Sequence, residues 1–207
     1  ESITYAITAI LPEGTNTLAV TDTLPLGMQF VSASVTSIGG NLTAATPTIT
    51  PSDRNGDTFD DRVRVDFGSI VNAPDGIADA NDEIIIEVVA LVRDVVGNSN
   101  SAVLINSAEI DLGVTTSTVT ADLEIVEPQL QIEKASPLSG GAPGTIEDFT
   151  LTIEHTGTST SDAFDLTIED LLGDANLTLI PGSLTTDRGV IASGNGGSDS
   201  TVGLTLA

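Results

Sequence analysis

The chain repeats itself over a distance that only a whole domain can span. Glu1-Ser-Ile-Thr-Tyr-Ala-Ile7 returns as Glu147-Asp-Phe-Thr-Leu-Thr-Ile153, an offset of 146. Val20-Thr-Asp-Thr-Leu24 returns as Ile168-Glu-Asp-Leu-Leu172 at 148, and Phe30-Val-Ser-Ala-Ser-Val35 as Leu179-Ile-Pro-Gly-Ser-Leu184 at 149. A drift of three residues is what loop insertions between shared elements produce, and a period near 146 belongs to tandem domains rather than to a short-period solenoid. Val126-Glu-Pro128 interrupts the pattern, so the expected modules are 1–126 and 127–207. In the register of the repeat, module one has no counterpart of Leu130 to Lys134, and module two stops where module one has Arg62 to Phe67. The expectation is a first module lacking its first strand and a second lacking its later ones. Sheets with missing strands expose unpaired edges, which makes neighbouring modules of the same protein, or strand-exchanging copies, the expected partners.

Within each module the apolar residues alternate. Ile3, Tyr5 and Ile7, then Leu18 and Val20, then Val63, Val65 and Phe67 read as strands with one buried face. Glu83-Ile-Ile-Ile-Glu-Val-Val-Ala-Leu-Val-Arg93 is long enough for a helix, but its β-branched density favours a buried strand. Leu104 to Ile110 and Val114 to Leu123 flank Asp111-Leu-Gly113, a hairpin turn. Val, Ile, Leu, Ala and Thr with 20 glycines and no tryptophan complete an all-β reading.

Thirty acidic residues against six basic ones give a formal charge of -24. Such a surface repels phosphate backbones and anionic bilayers, so no nucleic acid and no membrane insertion are expected. It calls instead for counter-cations, either bound Ca²⁺ or the screening of a saline exterior. The absence of cysteine removes disulfides and thiolate metal sites from consideration. No signal peptide, sorting signal or run of eighteen apolar residues is visible, which fits an internal segment or a processed one.

The order Ile3-Thr-Tyr-Ala-Ile7, Val20-Thr-Asp-Thr-Leu-Pro-Leu-Gly27, Phe30-Val-Ser-Ala-Ser34, Phe67-Gly68, Asn106-Ser-Ala-Glu-Ile110 and Val126-Glu-Pro128 resembles a repeat family of bacterial surface proteins, domain of unknown function eleven. Leu130-Gln-Ile-Glu-Lys134, Glu169-Asp-Leu-Leu-Gly173 and Pro181-Gly-Ser183 follow the same pattern, with Leu172-Gly173 where the family usually has Leu-Pro. The resemblance implies tandem immunoglobulin-like β-sandwiches in extracellular or cell-surface adhesins, matrix proteins or filaments. It implies no particular ligand. Lys134 stands at the strand position from which some related surface domains form a Lys-Asn isopeptide bond, and Asn106 lies near a last strand. They fall in different modules, and the plainer reading is an edge lysine and a structural asparagine.

Two acidic loops are the metal candidates. Asp53-Arg-Asn-Gly-Asp-Thr-Phe-Asp-Asp61 offers Asp53, Asn55, Asp57, Asp60 and Asp61 as the hard oxygen donors that Ca²⁺ takes. It departs from an EF-hand loop, because Gly56 follows Asn55 rather than Asp57 and Arg64 occupies the twelfth position in place of glutamate. Asp75-Gly-Ile-Ala-Asp-Ala-Asn-Asp-Glu83 offers Asp75, Asp79, Asn81 and Asp82, and convergence of the two loops at one pole would let them share an ion. The alternative is that Asp, Asn and Gly simply make the turns. Asp162, Asp165, Glu169 and Asp170 are expected to face solvent.

His155, the only histidine, reads as part of a surface turn, and its counterpart in module one is not a histidine. No nucleophile and base pair is apparent, and abundant carboxylates do not by themselves make a glycosidase. Asn41-Leu-Thr43 and Asn176-Leu-Thr178 match a glycosylation sequon that is usually idle in bacteria. A structural module of a secreted bacterial protein, stiffened by Ca²⁺, is therefore the expected function. The alternative is an adhesive module that binds glycan or a host surface through residues 37–60 or 185–200, where aromatic sugar platforms are scarce.

Overall fold

The computed structural model describes residues 1–138, 140–164, 166–171, 177–195 and 201–206. The chain divides into two compact units, Glu1–Val126 and Glu127–Ala207. Both are built from strands, and the single helical element among the described residues is a 3-10 turn, Ala80–Asp82.

Unit 1 contains β1 (Ser2–Ile10), β2 (Gly14–Thr23), β3 (Met28–Ile38), β4 (Leu42–Ala44), β5 (Thr48–Ser52), β6 (Arg62–Asn72), β7 (Glu83–Val92), β8 (Val103–Asp111) and β9 (Thr116–Glu124). One sheet has the order β1-β7-β3. The other runs β4-β6-β2-β8-β9, with β5 also paired to β6. All pairs are antiparallel. The run from Glu83 is a strand: Ile84, Ile86, Val88 and Ala90 are fully buried while the residues between them are half-buried, a period of two that a helix cannot produce.

The core lies between the sheets. Ile7, Leu18, Val20, Val63, Val65 and Ile86 belong to one cluster, and each fully buried side chain of this size contributes about 1.5–3 kcal/mol. A second cluster joins Tyr5, Leu24, Met28, Ala90, Leu104 and Ile125 toward one pole. The Leu24-Pro-Leu-Gly27 turn has a local cause: Gly27 has φ +91, and a Cβ there would lie 2.2 Å from Asn98 Oδ1. Asn98 in turn donates from Nδ2 to the carbonyls of Gly27 and Arg93, at 2.8 Å each. At the predicted β8–β9 hairpin, Gly113 takes φ +84 and its N–H donates to Asp111 Oδ1 at 2.8 Å.

The two sheets differ in width. Because β9 extends past the three-stranded sheet, almost all of it is exposed. Val119, Ala121 and Leu123 pair with Ala108, Asn106 and Leu104, so they share the core-facing side of the sheet, yet Val119 is 49% exposed.

Unit 2 contains β10 (Leu130–Ala135), β11 (Thr150–His155), β12 (Leu166–Leu171), β13 (Val190–Ser193) and β14 (Thr201–Leu206). β10 pairs antiparallel with β11, and a second sheet has the order β12-β14-β13. Ile168 stands opposite Leu204, and Leu204 opposite Ile191, just as Val20 stands opposite Val65 and Val65 opposite Ile49 in β2-β6-β5. A cleft of about 480 Å³, lined by Phe149, Leu151, Ile153, Ile168, Asp170 and Leu179 among others, occupies the place of a packed core.

Candidate functional site

The loop between β5 and β6 is organised by its own backbone. Asp53 accepts hydrogen bonds from the N–H groups of Gly56 (2.7 Å) and Thr58 (2.8 Å). Asn55 Oδ1 accepts from Asp57 N–H at 2.9 Å, and Asp57 Oδ1 from Phe59 N–H at 3.0 Å. Asp57 Oδ2 lies 2.6 Å from the Arg93 guanidinium, which also stacks 3.8 Å from the Phe59 ring centre. The Phe59 N–H, and after it Arg93, hold the Asp57 carboxyl below the usual range. Asp61 is buried and accepts from Arg54 N–H at 2.8 Å, while Asp60 is half-buried and its carbonyl accepts from Phe30 N–H. Thr58 takes φ 76, a left-handed conformation that a β-branched residue seldom adopts.

The loop before β7 follows the same logic. Asp75 Oδ1 accepts from Ile77 N–H at 2.9 Å, and the N–H groups of Asp75 and Gly76 both donate to Glu13. Asp79 caps the 3-10 turn by accepting from Asn81 N–H at 2.7 Å, and Asp82 returns the bond by accepting from Asp79 N–H at 3.0 Å. That N–H bond keeps the buried Asp82 carboxyl below the usual range. Asn41, the sequon residue, donates to Asp75 Oδ2 (2.9 Å) and Asp82 Oδ1 (3.3 Å) and so braces the loop.

The expected convergence of the two loops is wrong. The first loop binds the end of β2, the start of β3 and the end of β7; the second binds Leu11 and Gly39 at the start of β7. Consecutive strands run in opposite directions, so loops preceding β6 and β7 lie at opposite poles. The ten residues of β7 hold them about 30 Å apart, too far for a shared ion. Among the described residues, no three acidic or imidazole side chains gather around a common point. The nine candidate oxygen donors instead fall into two separate loops, in which Asp53, Asp57, Asp61, Asp75, Asp79 and Asp82 each accept from a backbone N–H of their own loop, while Asp61 Oδ2 is buried without a hydrogen-bond partner.

The unusual carboxylate lies elsewhere. Asp22 follows Leu18 and Val20 on the core-facing side of β2 and is 1% exposed. Asn106 Nδ2 donates to its Oδ1 at 2.8 Å; its Oδ2 and Asn106 Oδ1 have no partner. Burial pushes the Asp22 pKa up to about 6, against the smaller opposing effect of the Asn106 bond. Tyr5, whose hydroxyl donates to Met28 Sδ at 3.5 Å, has its pKa raised by burial and then by the Asp22 charge. Sequence reasoning passed over Asp22. The available signal was a carboxylate in phase with Leu18 and Val20, together with a carboxamide in phase with Leu104 and Ala108.

In the repeat, Asp22 corresponds to Asp170. Contrary to expectation, Asp170 turns inward: Lys134 Nζ binds both its oxygens, at 2.7 and 2.9 Å, and lies 4.7 Å from the Phe149 ring centre. Asp162 and Glu169 are exposed as expected, and Asp165, Asn176 and residues 196–200 lie outside the described residues. His155 is exposed, with Nδ1 2.7 Å from Ser159 Oγ. Ser159 Oγ also accepts from Gln129 N–H at 3.0 Å, and these bonds tie the turn after β11 to the entry of β10.

No protein-family model and no curated protein sequence matches the chain. Among solved structures it is similar to the collagen-binding subdomain of the Enterococcus faecalis surface protein ACE, at 12% identity over 59% of this chain and 87% of that one, with a TM-score of 0.39. It is similar also to a C-terminal fragment of the major pilin GBS80 of Streptococcus agalactiae, at 11% identity over 99% and 69%, with a TM-score of 0.42. A third likeness is to domains D2 and D3 of the major pilin SpaD from Corynebacterium diphtheriae, at 15% identity over 100% and 70%, with a TM-score of 0.34.

Proposed function

We propose that the chain is two successive modules of a repeat protein that acts outside a bacterial cell as a structural spacer or filament component, of the surface-protein repeat family its motifs resemble. The observation that supports this reading is a shared order of strand pairing in the two units beside the sequence likeness of β2 and β12. Val20 aligns with Ile168 at an offset of 148, and the strands that follow keep the same order of partners, β2-β6-β5 and β12-β14-β13, with the offset shortened to 142 between Ile49 and Ile191 and to 139 between Val65 and Leu204. A repeated framework of ladders is what an extended architecture needs. The charge of -24 supports an exterior setting, where salt screens repulsion between modules over about 8–10 Å. In this reading the acidic loops hold their shape through their own hydrogen bonds, and an ion is not required.

Protease treatment of intact cells of the producing bacterium tests the location. Peptides from this chain should appear in the released fraction. Recovery from the cytosol alone would overturn the proposal. Separately, a metal chelator should leave the melting temperature unchanged within about 2 °C, since backbone N–H groups already bind Asp53, Asp57, Asp75, Asp79 and Asp82 and one oxygen of Asp61. A larger fall would restore Ca²⁺ to the architecture.

A further inference from the structure

We propose that the exposed edge of β9 is a self-association site, at which β9 of a second copy of this chain pairs antiparallel with it and Val119 lies on the two-fold axis. The inference goes beyond the spacer reading above, because it gives the modules a lateral contact.

Strand geometry selects β9. A strand that adds to a sheet needs a long, straight row of free N–H and C=O groups, and β3, β4 and β5 each break that row or cut it short. β3 borders the narrow sheet but is bulged at Val31 and Thr36, where its register against β7 shifts. On the far side of the wide sheet β4 and β5 have three and five residues, and Pro51 removes an N–H from β5. β9 runs nine residues against β8 without a register shift, contains no proline, and is exposed at every position but Leu123. Among the described residues its other edge is unpaired.

The sequence of β9 selects the partner. In a chain of net charge -24, Thr116-Ser-Thr-Val-Thr-Ala121 carries no charge, so two copies can meet here without bringing carboxylates together. The segment also reads nearly alike in both directions about Val119, as a self-complementary pair requires. With Val119 on the axis, Thr118 stands opposite Thr120, Ser117 opposite Ala121 and Thr116 opposite Asp122, each pair on one face of the continued sheet. Cross-strand threonine pairs are favourable. The two Asp122 carboxylates lie about 20 Å apart along the pair, about twice the screening length of physiological salt. On the core-facing side Val119, 49% exposed in the single chain, packs against its own copy. A contact of this size buries less than about 1,000 Å², so one pair is weak and a row of modules multiplies it.

The test uses the full chain. Between about 1 μM and 1 mM, sedimentation velocity should show monomer passing to dimer, and hydrogen exchange in Thr116–Asp122 should slow roughly tenfold. The register is read with single cysteines, since the chain has none of its own. Val119→Cys brings the two Cα atoms within about 5.5 Å and should cross-link the dimer under mild copper-catalysed oxidation. Ser117→Cys lies about 13 Å from its copy and should not. The sedimentation and exchange measurements need no substitution, so they stand however the variants fold. A chain that stays monomeric at 1 mM, protection at β3 or β5 in place of β9, or equal cross-linking from positions 117 and 119 would overturn the proposal. Any of these outcomes would leave the extracellular location, tested by protease release, standing.

Discussion

Units 1 and 2 share short stretches of strand sequence, yet among the described residues only unit 1 encloses a core. Every buried hydrophobic residue among those described belongs to unit 1, whereas Leu151, Ile153 and Ile168 of unit 2 are half-buried around an open cleft. Among the described residues the difference lies in how many strands pack together rather than in their chemistry. In unit 1, β7 lies between β1 and β3 and presents Ile84, Ile86 and Val88 to the opposite sheet. No described strand of unit 2 does the same for β11 and β12. Alternation decides which face of a strand is apolar; a second sheet decides whether that face leaves water.

The largest expected effect exploits corresponding positions. Ile7→Ala should cost about 3 kcal/mol, because it opens a cavity in a packed core, while Ile153→Ala should cost about 1 kcal/mol or less. Hydrogen-exchange protection, read separately in each unit, measures both. Equal losses would mean that unit 2 is as tightly packed as unit 1.

The next comparison should differ in sign. Folded Asp22 retains its proton up to about pH 6, whereas the unfolded residue releases it near pH 4. The folded state therefore binds more protons between these values, and stability falls as pH rises through that window, by about 3 kcal/mol in all. Asn106 and Tyr5, the polar groups that face Asp22, do not titrate there. Asp22→Asn should accordingly stabilise unit 1 by about 2–3 kcal/mol at pH 7 and by little below pH 4. Asp170→Asn, which removes the partner of a part-exposed lysine, should destabilise unit 2 by about 1 kcal/mol or less. Exchange protection as a function of pH separates the two, and a destabilising Asp22→Asn at pH 7 would contradict the cost of burying a carboxylate with one oxygen unpartnered. The smallest effect belongs to the acidic loop of unit 1. Thr58→Gly should raise stability by about 1 kcal/mol by relieving a left-handed backbone, detectable as a small upward shift in melting temperature.

Much of the fold was readable because alternation survives in the strands that matter. Ile84, Ile86 and Val88 announce a central strand, and Val126-Glu-Pro128 marks where the two units part. The metal candidates were harder to place. Residue types and spacing are the same whether aspartates face an ion or the N–H groups of their own turn, and composition does not record which pole a loop occupies. Asp22 and Asp170 were hidden for a different reason. A carboxylate on a strand is normally assigned to the solvent face, and only the phase shared with Leu18 and Val20 argues otherwise.

The position of Glu1 bears on how pulling forces would pass through unit 1. Glu1 accepts from Val92 N–H, and Ile125 packs in the cluster that contains Tyr5 and Ala90, so the start of β1 and the exit from β9 lie at one pole. Tension applied there would unzip β1 from β7 one bond at a time, the weakest way to load a ladder. The same bonds pulled along the strand axis from Ile10 would instead share the load across the whole β1–β7 ladder. The nine residue pairs of that ladder would then be sheared together, so the direction of pull decides whether the unit peels or resists extension.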